Sequence, residues 1–422
     1  MKPIPTLRMM AAASAFAALF ASTALADVTV HILRSEVPNA EKAYHQQMAT
    51  NFEKSHPGVQ ISFEYIANEA YKQKLTTLLQ SEQKPDLIFS FAGGVLKQQA
   101  ESGVLQDISG SISDDVKARI PSAGFDAFTV DGKLYGLPVN VAEVVFWCNR
   151  DLAQKAGVDL NAIKTWDDFL GALKKAKAAG ITPIVVGGKD KWPLMFYYGY
   201  LWVREAGKAG MAAAMAGKGD GFAAAPFVKA GEDFKKLIDL QPFEPGFMDT
   251  TFEQATGQFG DGKALFHLMG DWDYGTQKQN SVSGKGILDE KLAAIRFPAV
   301  VGGAGDPSDT FGGINGYAVV AGAQPEAIEF VKYMTEVENQ KVAGAQGHYI
   351  PVAKGSEEGI TNPYFRMMSE DVSKSKFHQL FLDQAFGSDV GATALDISAD
   401  LAQGVTTPQD AAKAMQDAWS MR

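Results

Sequence analysis

The chain has 422 residues, 46% of them hydrophobic, and 39 lysines and arginines against 49 aspartates and glutamates, for a formal net charge of −10. An acidic chain with no basic block excludes a nucleic-acid binder and a protein held on an anionic membrane by charge. A single cysteine, Cys148, rules out an internal disulfide framework, so stability has to come from a large core.

Residues 1–26 read as an export signal. Lys2 and Arg8 give a positive start, Met9 to Leu25 is an apolar run rather short for a bilayer span, and Ala24-Leu25-Ala26 is a small-x-small cleavage site. Cleavage after Ala26 removes two bases and takes the formal charge from −10 to −12. No cysteine follows the site, which excludes a lipid anchor there. The expected compartment is the periplasm of a double-membraned bacterium. No later run is long enough to cross a bilayer, so the processed protein is not expected to be membrane-embedded.

The next segment alternates strand and helix: Val28 to Leu33, Ala40 to Phe52, Ile61 to Ile66, Glu69 to Glu82, then Asp86 to Phe91. Such alternation predicts a mainly parallel sheet with helices on its faces. The loops Arg34-Ser35-Glu36 and Ser90-Phe91-Ala92 then border a crevice, which makes Glu36 and Phe91 binding candidates on topology alone. Asp131-Gly132 signals a tight hairpin returning through Lys133 to Leu137, and Pro138 precedes a strand from Val141 to Trp147. Cys148 sits in the strand-like VVFWC as a buried, inert thiol.

Thr165-Trp166-Asp167-Asp168 is a capping box for a helix to Ala179, with Trp166 stapled into the core. Ile181 to Val186 reads as a buried strand. Pro193 lies in the first turn of an almost wholly apolar helix to Val203, where Tyr197, Tyr198 and Trp202 read as core. Lys208 to Ala225 is expected to be a mobile helical excursion. Thr251 to Phe259 is a helix, Ala264 to Met269 a strand, and Asp271 the N-cap of the next helix. Gly302 to Asp309 is a loop, Ile314 to Val320 a strand and Glu326 to Ala343 a helix. Thr407 caps a last helix to Trp419, a docking anchor. A chain of this length suggests two domains, interleaved because no linker separates them.

Two tryptophans stand apart from the core. Trp192 ends the loop Gly187-Gly188-Lys189-Asp190-Lys191 beyond a strand, and Trp272 follows the end of another. Both occupy the carboxyl ends of strands, where open α/β sheets bind ligands. Trp272 has acids on both sides, a combination suited to a flat polyhydroxylated ring. Capping and hydroxyl recognition account for both Asp271 and Asp273, with Asp273 a binding candidate.

Other chemistry is poorly supported. Gly257 to Lys263 has nucleotide-loop spacing, but Ala264 replaces the magnesium-binding hydroxyl and the helix and strand come in the reverse order. The six histidines show no metal-ligand pairing, so neither metal nor cofactor is expected. No G-x-S-x-G motif occurs.

Together these segments resemble the sugar-binding proteins of ABC importers, family 1 of the extracellular solute-binding proteins, the group containing the maltodextrin-binding protein and its oligosaccharide-binding relatives. The resemblance covers essentially the whole chain after the signal. DGKLYGLPVNVAEVVFWCNRDL followed by TWDDF looks like the family's hairpin, first crossover and capped helix. KWPLMFYYGY and FGDGKALFHLMGDWD look like its two sugar-facing tryptophan segments, FGGINGYAVV like its return crossover, and FLDQAF like its C-terminal ligand aromatic. RSEVPN and SFAGG depart from the maltodextrin protein, so maltose is not implied.

The resemblance implies an α/β fold of two interleaved lobes, the type II periplasmic-binding-protein or Venus-flytrap arrangement. Lobe one would comprise 27–138 and 314–350, and lobe two 139–313 and 351–422. It implies a non-enzymatic carrier that closes on a sugar, most simply a short oligosaccharide, and delivers it to membrane permease subunits; monomer is the default state. Trp192 and Trp272 become stacking platforms, Phe381 a third aromatic and Asp383 a hydroxyl acceptor. Asn140 and Glu143, past the first crossover, and Asn315, at the return, complete the set. Two rivals stay open: the same fold binding a non-sugar solute such as glycerol phosphate, and a periplasmic glycan hydrolase.

Overall fold

A computed structural model describes residues 28–422; the expected signal over 1–26 lies outside them. The strands in chain order are β1 (Val28–Ser35), β2 (Val59–Ile66), β3 (Leu87–Ser90), β4 (Thr129–Val130), β5 (Lys133–Leu134), β6 (Gly136–Asn149), β7 (Thr182–Ile184), β8 (Ala264–Gly270), β9 (Leu292–Ile295), β10 (Thr310–Val319), β11 (Ile350–Pro351) and β12 (His378–Leu380). The main sheet runs β2-β1-β3-β10-β6-β8-β7, and β4 and β5 form the hairpin at Asp131-Gly132.

Buried side chains fall into two cores. One draws on residues between Val30 and Val139 and again between Tyr317 and Tyr349. The other draws on residues between Ala142 and Phe311 and again between Ile350 and Trp419. The fold is therefore the two-lobed α/β arrangement, with the chain passing between the lobes more than once.

The long strands β6 and β10 carry that passage. Residues 136–143 of β6 pair with β10, while 144–149 pair with β8 and β9 in the second core. β10 does the reverse, pairing with β12 at its start and with β3 at its end. Glycines make the crossing possible. A Cβ on Gly312 would strike the Ala142 carbonyl, and one on Gly316 the Leu137 carbonyl. Pro138 sits opposite Gly316, where the register shifts, so its missing N–H falls at a bulge.

Several expectations need correcting. Along its main path the sheet is parallel only towards its ends, for β2-β1-β3 and β7-β8; β3-β10-β6-β8 is antiparallel because the crossover strands run against their neighbours, and the short β12 adds a parallel pairing to β10. The helix expected over 326–343 is two, Pro325–Met334 and Val337–Gln346. The Arg119 guanidinium and the Thr335 hydroxyl both donate to the Lys332 carbonyl, which ends the first helix without glycine or proline. The segment 208–225 packs, with Met211, Ala214 and Phe222 buried. The helix Trp192–Met215 breaks at Gly207, φ 59°, where the freed carbonyls of Arg204 and Glu205 accept from Gly305 and Ala304.

Gly316→Ala should lower stability by roughly 2–3 kcal/mol, because the obstructing atoms are backbone and cannot swing aside. Urea midpoints of the variant and parent check this; equal midpoints would mean that the crossing tolerates separation.

Candidate functional site

A cavity of about 180 Å³ lies between the two cores. That is far more than the roughly 10–15 Å³ that one ordered water requires. Its floor is the crossover pair Asn140 and Asn315, which face each other across β6 and β10. Lobe one supplies the ends of β1 and β3 and the first turn of the helix Asn68–Leu79. Lobe two supplies the loops around Trp192, Trp272 and Phe381.

The lobe-two side is a continuous aromatic wall. Phe196 stacks on Phe381 with centroids 5.2 Å apart, and Trp272 meets Phe381 edge-on at 6.0 Å. Trp192 lies 5.2 Å from Phe196 and 4.9 Å from Phe252. Each ring is placed by its local sequence. Lys191 takes φ 62°, an uncommon conformation for a residue with a Cβ, and so turns the chain into the helix that Trp192 opens. Gly270 lets the Trp272 indole fold back over the strand end, where any Cβ would collide with the ring. Gly313 does the same for Phe381, whose N–H donates to the Gly312 carbonyl at 2.8 Å.

The floor and lobe-one side are polar. Asn315 Oδ1 and Asp271 Oδ1 are buried with no hydrogen-bond partner among the described residues. Burial pushes the Asp271 carboxyl up to about 8, against the pull of its own N–H and those of Glu143 and Ile350. It is therefore mostly protonated at neutral pH and offers both a donor and an acceptor. Arg34 reaches the cavity already engaged: it donates to the Ser35 carbonyl and to Tyr317 Oη, bonds His45 Nε2 at 2.9 Å and pairs with Glu41 at 3.3 Å. Lys72 pairs with Asp383 at 3.4 Å.

Trp192, Trp272, Phe381, Asp383, Asn140, Asn315, Glu36 and Phe91 all line the cavity. Glu36 is an exposed rim residue paired with Lys42. Two expected residues lie elsewhere. Glu143 is buried behind the floor, because positions three apart on a strand point to opposite faces; burial and Asp371 hold its carboxyl well above the usual range. Asp273 is fully buried and accepts from Thr256 Oγ1 and pairs with His267 Nδ1 at 2.9 Å, since two residues at a helix start rotate the side chain away from the cleft. Asp271 is the acid that faces the cavity, and it is not a cap: Trp272 occupies the N-cap position of the helix Asp273–Asn280, with no side-chain cap bond.

Phe196, Lys72, Glu41, His45 and Tyr349 also line the site and were missed, and Asp271, singled out beside Trp272 but read as a cap, lines it too. Phe196 had a usable signal, one helical turn after Trp192 on the same face. The lobe-one polar groups had none, because only the tertiary fold turns them inward.

The model for "Bacterial extracellular solute-binding protein" matches residues 38–341. The chain belongs to that family. An uncharacterized ABC transporter extracellular-binding protein of Pyrococcus horikoshii is 26% identical over 380 residues, covering 89% of this chain and 82% of that one. A structure solved in work on xylan utilization by Caldanaerobius polysaccharolyticus superposes with TM-score 0.85 at 26% identity, covering 92% of this chain and 99% of that one. A chitin oligosaccharide binding protein shares the fold, with TM-score 0.82 at 24% identity over 94% and 98% of the two chains. The family model, the Pyrococcus relative and the chitin oligosaccharide neighbour are all described as binding proteins. No helix among the described residues of this solute-binding protein is long and apolar enough to cross a membrane.

The raised Asp271 carboxyl makes a sign-specific prediction. The folded protein holds a proton that the unfolded chain releases near its ordinary 3.8, so this contribution is complete below about 4 and lost as pH rises through about 8. Asp271→Asn should therefore lose less stability than the parent between pH 4 and 8. Melting temperatures across that range test it, and parallel curves would refute it.

Proposed function

We propose that this protein captures a sugar, most simply a short oligosaccharide, by hinge closure and hands it to the membrane permease of an ABC importer. The observation that carries this is the pairing within one cavity of an indole and phenyl wall with two buried oxygens, Asn315 Oδ1 on the floor and Asp271 Oδ1 beyond the end of β8, that lack partners among the described residues. A pyranose or furanose offers an apolar C–H face to the first and hydroxyls to the second. Trp192, Trp272 and Phe381 act as stacking platforms; Asn140, Asn315, Asp271 and Asp383 read hydroxyls; Phe91 and Glu36 close the lobe-one rim. Two structural neighbours, one from work on xylan utilization and one a chitin oligosaccharide binding protein, point the same way.

The arginine and the lysine lining the cavity, Arg34 and Lys72, are already paired with acids, which argues against glycerol phosphate or another anion. We read the protein as non-enzymatic and monomeric, and as exported to the periplasm by cleavage after Ala26. Lobe one is taken as 27–138 with 314–350 and lobe two as the remainder. The division of the cores near Val139, between Phe311 and Tyr317, and at Tyr349 supports that partition.

A panel of mono-, di- and trisaccharides should contain members that raise the melting temperature of the processed protein, since a ligand selective for the native state stabilises it. For the best of them, Trp272→Ala should weaken calorimetric affinity at least about tenfold, or roughly 1.4 kcal/mol, with the fold intact by circular dichroism. Salt-sensitive binding of a phosphorylated solute alone would favour the anion reading, and release of a shortened glycan would favour a hydrolase.

A further inference from the structure

The helix Asn68–Leu79 does more than border the cavity. Glu69, in its first turn, accepts from the Trp192 indole N–H at 3.0 Å, across the cleft between the two lobes. Asn68 Nδ2 donates to the same Glu69 oxygen at 2.7 Å, which fixes the carboxylate. Lys72, one turn further on, pairs with Asp383 of lobe two at 3.4 Å and lies 5.7 Å from the Trp192 ring centroid. Gln384 Nε2 steadies that Asp383 at 2.8 Å. Trp192 Nε1 has no lobe-two partner, so opening the cleft would leave it, and the Lys72–Asp383 pair, to water.

We propose that Glu69 and Lys72 are positioning residues that latch the closed cleft. Glu69 sets the tilt of the Trp192 indole and Lys72 holds Asp383 in place, so both lobe-two groups are oriented by lobe one only when the lobes meet. This rests on the reading of Trp192 and Asp383 as ligand-binding residues. The latch acts on the lifetime of the closed state rather than on encounter, because its bonds form only after closure. It is partly exposed, with Glu69 39% and Lys72 26% accessible, so its contribution is modest.

The test uses the sugar giving the largest thermal shift and stopped-flow tryptophan fluorescence. Glu69→Ala should raise the dissociation rate about fivefold and leave the association rate unchanged. Glu69→Gln, whose amide oxygen still accepts the indole N–H, should restore most of the parental rate. Lys72→Met, which keeps the apolar stem, should speed dissociation as well. An unchanged dissociation rate, an equal loss in association, or no rescue by glutamine would overturn the latch.

If no sugar binds, the proposed function fails and the latch is judged on ligand-free protein. Cys148 is buried, so spin labels can be directed to Ser102→Cys and Lys218→Cys, one in each lobe. Glu69→Ala with Lys72→Met should deplete the shorter interlobe distances seen by electron–electron resonance. Indistinguishable distributions would overturn it.

Discussion

Strands β6 and β10 belong to both hydrophobic cores, and their close antiparallel crossing is the frame to which every group in the cleft is referred. Backbone meets backbone there because Gly312 and Gly316 carry no side chain. The consequence reaches the site directly. Asn140 and Asn315 are partners in that crossing and form the cavity floor, so the pairing of β6 with β10 sets the spacing of their backbones. The aromatic wall hangs from the same frame: Phe381 is tied to Gly312 by its N–H, and Gly313 makes room for its ring.

The two sides of the cavity differ in kind. Lobe two contributes rings placed by helix starts and strand ends: Lys191 turns the chain at Trp192, and Gly270 and Gly313 make room for Trp272 and Phe381. Lobe one contributes a buried network around Arg34, in which His45, Glu41 and Tyr317 consume the guanidinium. A charge so occupied holds the wall's shape and costs a ligand little to approach, but it offers an anion no free donor fork. Positive charge in a cavity is thus a poor guide to ligand charge until its partners are counted.

How much of this was legible in the sequence follows from the range over which each signal acts. The capping box at Thr165, the Asp131-Gly132 hairpin and the strand from Ala264 act over a few residues and appear where expected. Trp192 and Trp272 could be placed at a crevice because strand ends and helix starts are local signals. Glu143 and Asp273 went astray over side-chain direction: a spacing of three on a strand, or of two at a helix start, reverses the face. The break after Met334 depends on Arg119, more than two hundred residues away, which no local pattern reveals. The same holds for the Arg34 network, whose members come from β1, the following helix and β10.

Affinity and selectivity have separate origins in such a cavity. An indole or phenyl face gains nearly the same from any flat sugar ring, since burying apolar area is indifferent to hydroxyl configuration. The floor is not indifferent. Asn315 Oδ1 accepts one donor, while a protonated Asp271 both donates and accepts; a hydroxyl pointing elsewhere leaves one of them buried and unpaired, at about 1–3 kcal/mol. One misplaced hydroxyl can therefore offset a contribution of the size expected for Trp272, about 1.4 kcal/mol. On this reading the tryptophans decide that a sugar is held, and the crossover strands together with Asp271 decide which one.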